Sequence, residues 1–346
     1  MAPAPTPVPA PTRVIVEMHP ACDAHDPGRM HPEWSSRMDA VRLGLERALS
    51  SGIARMVTPR QATREELTRV HEAAVVDSLQ SLCLAGGGRI DDDTAASPAS
   101  WDAALAAAGA GLDAVERLRS GEAGAAFVAV RPPGHHATPD RAMGFCLFNN
   151  VAITAAALAD AGERVLIVDF DAHHGNGTQD TFYGDSRVMY MSLHQSPLYP
   201  GTGRLEETGA GDARGTTINI PVPPGATGDV YLAALDEVIL PVGERHRPSW
   251  LIISAGFDGH RADPLTDLSL TSGDFCELTA RLCPLVPAGR RIAVLEGGYD
   301  LDALKSSTEA CVEALAGERL CPEAPSSGGP GREAVGAARA IHVKGR

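Results

Sequence analysis

The sequence predicts a doubly wound α/β fold, a parallel sheet covered by helices on both faces. Three observations carry this. Short apolar runs alternate with helical patterns along the chain, as strand–helix–strand units require. Most of these runs are apolar at both alternating positions, the pattern of strands buried on both faces. Chemically loaded residues recur directly after the runs, where open parallel sheets bind their ligands.

The strand-like runs are RVIVEM (13–18), AAFVAV (125–130), RVLIVDF (164–170), RVMYMSL (187–193), WLIISAG (250–256) and RIAVLEG (291–297). Helical patterns fall at about 36–49, 64–84, 101–119, 149–160, 229–246, 272–286 and 302–316, the last with Asp300 or Asp302 as an N-cap. A chain of 346 residues suits one such domain and buries a core without disulfides. Its net charge of −14 argues against nucleic acid as a ligand and is compatible with cationic substrates. Seven cysteines, an odd number without a C-x-x-C pair, point to a reduced, cytoplasmic protein and offer no thiolate zinc site. No apolar run approaches the roughly 18 residues of a membrane span.

Residues 1–12 alternate proline with small residues and lack the basic and apolar regions of a signal peptide, so a disordered Pro-rich tail is expected. A catalytic domain is expected over 13–321, and the Pro/Gly/Ser-rich 322–346 reads as a flexible tail. The Ala-, Arg- and Gly-rich usage hints at a bacterial source.

Asp169, Asp171 and His173 stand at i, i+2 and i+4 where a strand ends. Alternate side chains of extended backbone share a face, so Asp171 and His173 can address one point with Asp169 behind them. Asp258, at the end of another strand, is the natural third ligand. Three protein ligands with an open position describe a catalytic zinc site, although this donor set also suits Fe(II), Mn(II) or Co(II). Any one of these acids alone would be read as a helix cap or ion-pair partner; His174 is expected to be structural.

His135 and His136 follow Arg131-Pro132-Pro133-Gly134. Neighbouring residues rarely aim at one atom, so the pair suits proton transfer beside a metal better than metal binding. Each needs a partner on its far nitrogen, and Asp169 and Asn176 are at hand. Tyr299, after Gly297-Gly298, offers a phenol to a developing oxyanion. Together these parts specify hydrolysis.

RPPGHHA, GFCLFNN, DFDAHHGNGTQ, SLHQ with PGTG, ISAGFDGHRADPL and LEGGY, in this order over 131–299, resemble the histone deacetylase family of zinc hydrolases. HPEWSSR (31–37) and GRIDDDT (88–94) match more weakly. The resemblance implies the arginase/deacetylase fold, a single domain with an eight-stranded parallel sheet. It implies one zinc ion on Asp171, His173 and Asp258, the tandem pair His135 and His136 with His136 as general base, and Tyr299 as catalytic tyrosine. Asp169 matches the acid behind the first histidine. Asn176 behind the second resembles the class II branch, which includes bacterial histone deacetylase-like amidohydrolases and stands near the acetylpolyamine amidohydrolases.

Phe145 and Tyr199 match walls of the acyl-lysine tunnel, Gly144 the residue whose carbonyl faces the substrate linker, and Leu265 a position at the mouth. Polyamine-selective relatives can carry Glu at that last position. Asp93, with Asp91 as alternative, matches a rim acid that binds the substrate backbone. A structural K+ is implied at Asp169, Asp171, His173, Ser192 and Leu193. The expected activity is N-acyl amide hydrolysis, first on acyl-lysine and second on acetylpolyamines or other small acylated amines. A catalytically silent acyl-lysine-binding protein is the alternative of another class. A ureohydrolase is disfavoured, because DAHHGNG lacks the second ligand set of a two-manganese site. Neither nucleic acid nor membrane is expected as a partner, and homo-oligomerisation is left open.

Overall fold

The computed structural model describes residues 13–319 and 321–344. The strands are β1 (Val14–Glu17), β2 (Ala54–Val57), β3 (Gly88–Arg89), β4 (Ala95–Ala96), β5 (Ala125–Val128), β6 (Val165–Asp169), β7 (Val188–Gln195), β8 (Thr217–Val222), β9 (Trp250–Ala255) and β10 (Arg291–Leu295). Eight of them form a sheet in the order β2-β1-β5-β10-β9-β6-β7-β8, and β3 and β4 make a small antiparallel hairpin. Every pairing in the large sheet is parallel. The eight-stranded parallel sheet that the resemblance implies is therefore present.

Six of its strands coincide with the apolar runs. The two that the apolar pattern missed, β2 and β8, are the two edges. Arg55 and Met56 of β2 face solvent, and Thr217, Asn219 and Pro221 interrupt the apolar character of β8. An edge strand has one neighbour to cover it, so its sequence need not be apolar throughout.

The helices are α1 (Ala21–Ala24), α2 (Ser36–Ser50), α3 (Arg64–Leu67), α4 (Ala73–Leu84), α5 (Ser100–Arg119), α6 (Asn150–Asp160), α7 (Asn176–Phe182), α8 (Gly228–Ala234), α9 (Leu240–His246), α10 (Ser272–Leu282), α11 (Leu301–Leu315) and α12 (Arg332–Arg339). The helix expected over 64–84 is broken in two. At the break, the imidazole of His71 bridges Thr138 O (3.0 Å) and the Asn149 N–H (2.9 Å), and Pro139 O accepts the Glu72 N–H. The helix expected over 229–246 is interrupted by a π turn at Leu235–Ile239, just before Pro241, whose missing N–H a regular α-helix would need. Alternate strand residues fill two core layers. Val14, Val16, Leu166, Val168, Leu251 and Ile253 pack under α2, α8 and α10–α12, and Ile15, Val165, Ile167 and Ile252 pack under α3–α6.

The described residues contradict the expectation of a flexible tail over 322–346. Glu323–Ser326 lie against the start of α10, and α12 packs on β8 and α8 with Val335 and Ala338 buried. The composition misled because residues 322–331 read as linker, while the helix that follows docks beside the edge strand β8 with only two fully buried apolar side chains, one turn apart. The Pro-rich segment 1–12 lies outside the described residues. Among the described residues no helix is long and apolar enough to cross a membrane.

Val335 is 1% exposed. Val335→Asp should lower the thermal midpoint by several degrees, since an unpaired carboxylate would be forced into that contact. A midpoint equal to the wild type in differential scanning calorimetry would show that the helix does not depend on this packing.

Candidate metal centre and acyl cavity

The four central strands β5, β10, β9 and β6 deliver the polar residues to one edge of the sheet. Asp169 closes β6, and Asp171 and His173 follow within four residues. Asp258 lies just beyond β9, His135 and His136 beyond β5, and Glu296 and Tyr299 beyond β10.

Asp171, His173 and Asp258 each present one donor atom, and these atoms lie within 4.8 Å of one another. His173 Nδ1 stands 2.7 Å from Asp258 Oδ2 and 3.2 Å from Asp171 Oδ1. The other oxygen of each carboxylate is already held. Asp258 Oδ1 accepts the Ala172 N–H (2.8 Å), and Asp171 Oδ2 accepts the Gly297 N–H (2.9 Å). Donors on a coordination sphere of about 2 Å radius stand roughly 3–4 Å apart, so this hard O/N set fits a divalent ion such as zinc. The groups perturb one another strongly. Burial opposes charge on His173, yet Asp258 and Asp171 outweigh it and raise its pKa to about 10. Burial and the neighbouring Asp171 push Asp258 up to about 7.

The two histidine rings lie 4.0 Å apart and have different supports. His135 Nδ1 meets Asp169 Oδ2 at 3.1 Å, and that carboxylate oxygen also accepts the Tyr190 hydroxyl at 3.1 Å. His136 Nδ1 meets the neutral Asn176 Oδ1 at 2.8 Å. Burial disfavours both imidazolium ions. For His135, Asp171 and Asp169 overturn that and raise the pKa to about 10. For His136, burial prevails, the charges of His135 and His173 add to it, and the pKa falls well below 6.5.

Tyr299 is held by its backbone N–H, which Asp263 Oδ2 accepts at 2.7 Å, and the Arg37 guanidinium sits 5.0 Å from its ring centre. Burial raises the phenol well above its usual pKa, so it stays a proton donor.

These groups open on a cavity of about 220 Å³ lined by His135, His136, Asp171, His173 and Tyr299, with Asp93, Gly144, Phe145, Tyr199 and Leu265 above them. Phe145 stands edge-on to Tyr299 (5.8 Å, 88°), and Tyr199 edge-on to His136 (5.2 Å, 87°). Gly144 has φ +57°, and a Cβ there would strike the His136 ring. Phe145 has φ +67°, a strained value that the Thr94 hydroxyl helps hold by accepting its N–H at 3.1 Å. Thr94 in turn donates to Asp93 Oδ1 at 2.7 Å. Asp91 does not line the cavity, and its Oδ1 caps the turn by accepting the Asp93 and Thr94 N–H groups. Ser192 and Leu193 are buried on β7, with Ser192 in register with Asp169. His174 is structural, bridging Thr202 Oγ1 (2.8 Å) and Gln179 Oε1 (3.1 Å).

Sequence reasoning missed the groups that hold these parts. Glu296 Oε2 accepts the Gly134 and His135 N–H groups at 2.7 and 3.2 Å. The buried Glu33 carboxylate binds Arg131 (2.5 and 2.8 Å) and Arg37 (3.0 Å). Arg37 continues to Gly298 O (2.7 Å) and Glu296 O (2.5 Å). Burial alone would raise the Glu33 pKa, but Arg131, His25 and Arg37 bring it down to about 2. His31 packs its ring 4.5 Å from Phe145 and meets Asp93 O at 2.9 Å. The available signal was the charged residues inside the quoted motifs that had no assigned role: Glu33 and Arg37 in HPEWSSR, Arg131 in RPPGHH and Glu296 in LEGGY.

The family model described as the histone deacetylase domain matches residues 31–315. A probable deacetylase from Archaeoglobus fulgidus is 41% identical over 302 residues, 85% of this chain and 83% of its own. The chloroplastic histone deacetylase 14 of Arabidopsis thaliana is 37% identical over 83% of this chain and 73% of its own. The histone deacetylase-like amidohydrolase of Pseudomonas aeruginosa is 38% identical over 76% of this chain and 71% of its own. Among solved structures, the HDA15 HD domain superposes with a TM-score of 0.89 at 34% identity, covering 97% of this chain and 95% of that one. The chain belongs to the histone deacetylase family.

Proposed function

We propose that this family member is a zinc-dependent hydrolase of N-acyl amides whose first substrate class is acyl-lysine. The observation that carries the reading is the pairing of a neutral His136 with the Asp171–His173–Asp258 cluster and Tyr299 around one narrow cavity. A zinc ion held by the triad would supply a Lewis acid for the acyl carbonyl and lower the pKa of a water. With Asn176 Oδ1 accepting from Nδ1, the His136 proton sits on Nδ1 and the Nε2 lone pair is free to take a proton from the attacking water. The Tyr299 hydroxyl donates to the oxyanion as it forms. His136 then returns its Nε2 proton to the leaving amine, while His135, held charged by Asp169, steadies the negative charge nearby. A linear acyl-alkyl chain suits a cavity walled by Phe145 and Tyr199 with Leu265 at the mouth, and the Asp93 carboxylate can accept an N–H of the substrate backbone. The same reading assigns a structural K+ to Asp169, Asp171, His173, Ser192 and Leu193.

The deciding experiment compares the zinc-loaded protein on acetyl-lysine peptides and acetylated polyamines. Peptides are expected to give the higher kcat/KM. A polyamine value well above every peptide would transfer the assignment to small amines, and no acyl release from either class would favour a silent acyl-lysine-binding protein.

Tyr299→Phe should retain one zinc per chain and lose about a hundred- to a thousand-fold in kcat, the usual cost of an oxyanion donor. Asp258→Ala should instead lose the metal by elemental analysis. Retained zinc in the second variant, or lost zinc in the first, would reverse those roles.

The neutral Asn176 also sets a pH dependence. Protonated His136 cannot act as base, so kcat/KM falls at low pH around its pKa, which burial holds below the ordinary 6.5. A carboxylate behind the ring would stabilise the imidazolium and raise that pKa. Asn176→Asp should therefore move the acidic limb of the pH profile of kcat/KM to higher pH. An unmoved limb would rule out His136 as the group that titrates.

A further inference from the structure

We infer that Glu323, beyond the 31–315 matched by the family model, is a positioning residue for the loop that carries Asp258 and supports Tyr299. The inference deepens the hydrolase reading above and rests on it.

Glu323 Oε2 accepts from three donors: His260 Nε2 at 2.8 Å, the Ser272 N–H at 3.0 Å and Ser272 Oγ at 3.1 Å. Its Oε1 pairs with Arg261. Burial alone would raise this carboxyl, but His260 and the Ser272 donors hold it near 2, so it is ionised throughout the working range. The segment that carries it is itself fixed. The Thr271 hydroxyl donates to Ala324 O (2.9 Å), the Ser326 hydroxyl donates to Asp274 (2.7 Å) and accepts the Gly228 N–H (2.8 Å), and α12 follows on β8.

From His260 the path to the site is short. Its Nδ1 accepts the Ala262 N–H (3.2 Å), which leaves Nε2 to donate to Glu323. His260 O accepts the Asp263 N–H at 2.8 Å. The Asp263 carboxylate then divides between two groups. Oδ2 accepts the Tyr299 N–H at 2.7 Å, and Oδ1 accepts the Leu265 N–H at 3.0 Å. Asp258 stands two residues before His260 on the same turn, its carbonyl accepting the Thr266 hydroxyl at 2.5 Å. Glu323 thus anchors a turn whose one side holds a metal ligand and whose other side sets the backbone of the oxyanion donor and a residue of the mouth. His260 is 5% exposed with Glu323 in place, so loss of that carboxylate removes the acceptor of its Nε2–H and the tie that holds the turn to Ser272 and the start of α10. Transition-state donors tolerate little displacement, so kcat should feel this before substrate binding does.

The test uses the full-length, zinc-loaded protein with Glu323→Ala, Glu323→Gln and, as a control on the same segment, Arg332→Ala, which loses only a surface contact with Glu237. Glu323→Ala should lower kcat about ten-fold, leave KM within about two-fold and keep its zinc. Glu323→Gln, whose amide oxygen still accepts from His260, should recover most of the rate. Arg332→Ala should keep the wild-type kcat. Amide hydrogen exchange across 258–265 should be faster in Glu323→Ala than in Arg332→Ala. That second readout needs no substrate, so an inactive wild type would sink the hydrolase reading while exchange still judged the brace. Wild-type kcat per metal-loaded chain in Glu323→Ala, an equal loss in Arg332→Ala, or unchanged exchange would each overturn the inference.

Discussion

The constraint on which the rest depends is the burial of four carboxylates, Asp169, Asp171, Asp258 and Glu296, within one patch at the carboxyl ends of the central strands. Acids this close and this dry repel one another and lose solvation, so each must be met by fixed partial charges or by cations. Backbone amides of Gly134, Ala172, His173 and Gly297 meet part of the demand, and the imidazoles of His135 and His173 meet more. The local sequence follows from this. At Gly297, a Cβ would collide with the Asp171 and Asp258 carboxylates, so the residue that donates the amide can be nothing larger. A divalent ion on the three converging donors would complete the compensation, and their convergence is what marks the patch as a candidate metal centre.

The same electrostatics divides labour between two adjacent histidines of identical chemistry. His135 has a carboxylate behind it and two acids nearby, and it holds its proton. His136 has an amide behind it and two basic rings nearby, and it releases its proton. One atom type, oxygen in a neutral amide against oxygen in a carboxylate, separates a neutral imidazole from a charged one. The distinction lies in residues 169 and 176, about 40 positions from the histidines, brought close because β5 and β6 end on the same edge.

The inner sheet was legible because its strands are buried on both faces and are apolar at most positions, whereas β2 and β8 were not because an edge relaxes that demand. The candidate metal segment was legible for a related reason: Asp169, Asp171 and His173 follow at alternate positions as an apolar strand ends, a pattern that no single helix cap or ion pair requires. Glu33, Arg37, Arg131 and Glu296 were harder. Apart from the i,i+4 pair Glu33–Arg37, their partners are distant in sequence, 98 residues for Arg131 and Glu33, 162 for Glu296 and Gly134 and 261 for Arg37 and Gly298, and no local periodicity encodes such pairings. The tail failed for the opposite reason. Its composition resembles a linker, and α12 docks with two fully buried apolar side chains, Val335 and Ala338, a faint pattern against ten residues rich in proline, glycine and serine.

The proposed reading puts chemistry and substrate choice on different parts of this molecule. The base of the cavity is built by strand ends, which the sheet holds in register, so its geometry is set by rigid elements. The mouth is built by connections. His31 from the stretch before α2, Asp93 from the β3–β4 turn, Tyr199 from the loop after β7 and Leu265 from the loop after β9 meet there. Loops vary at little thermodynamic cost because most of their residues bury no core. Phe145 is the exception, since it holds a left-handed backbone, touches both His31 and Tyr299, and joins the rim to Tyr299 through one aromatic contact. On the proposed reading, selection for a different amine would act more readily on residues 93, 199 and 265 than on Phe145 or the His31 packed against it, because moving either disturbs the setting of Tyr299.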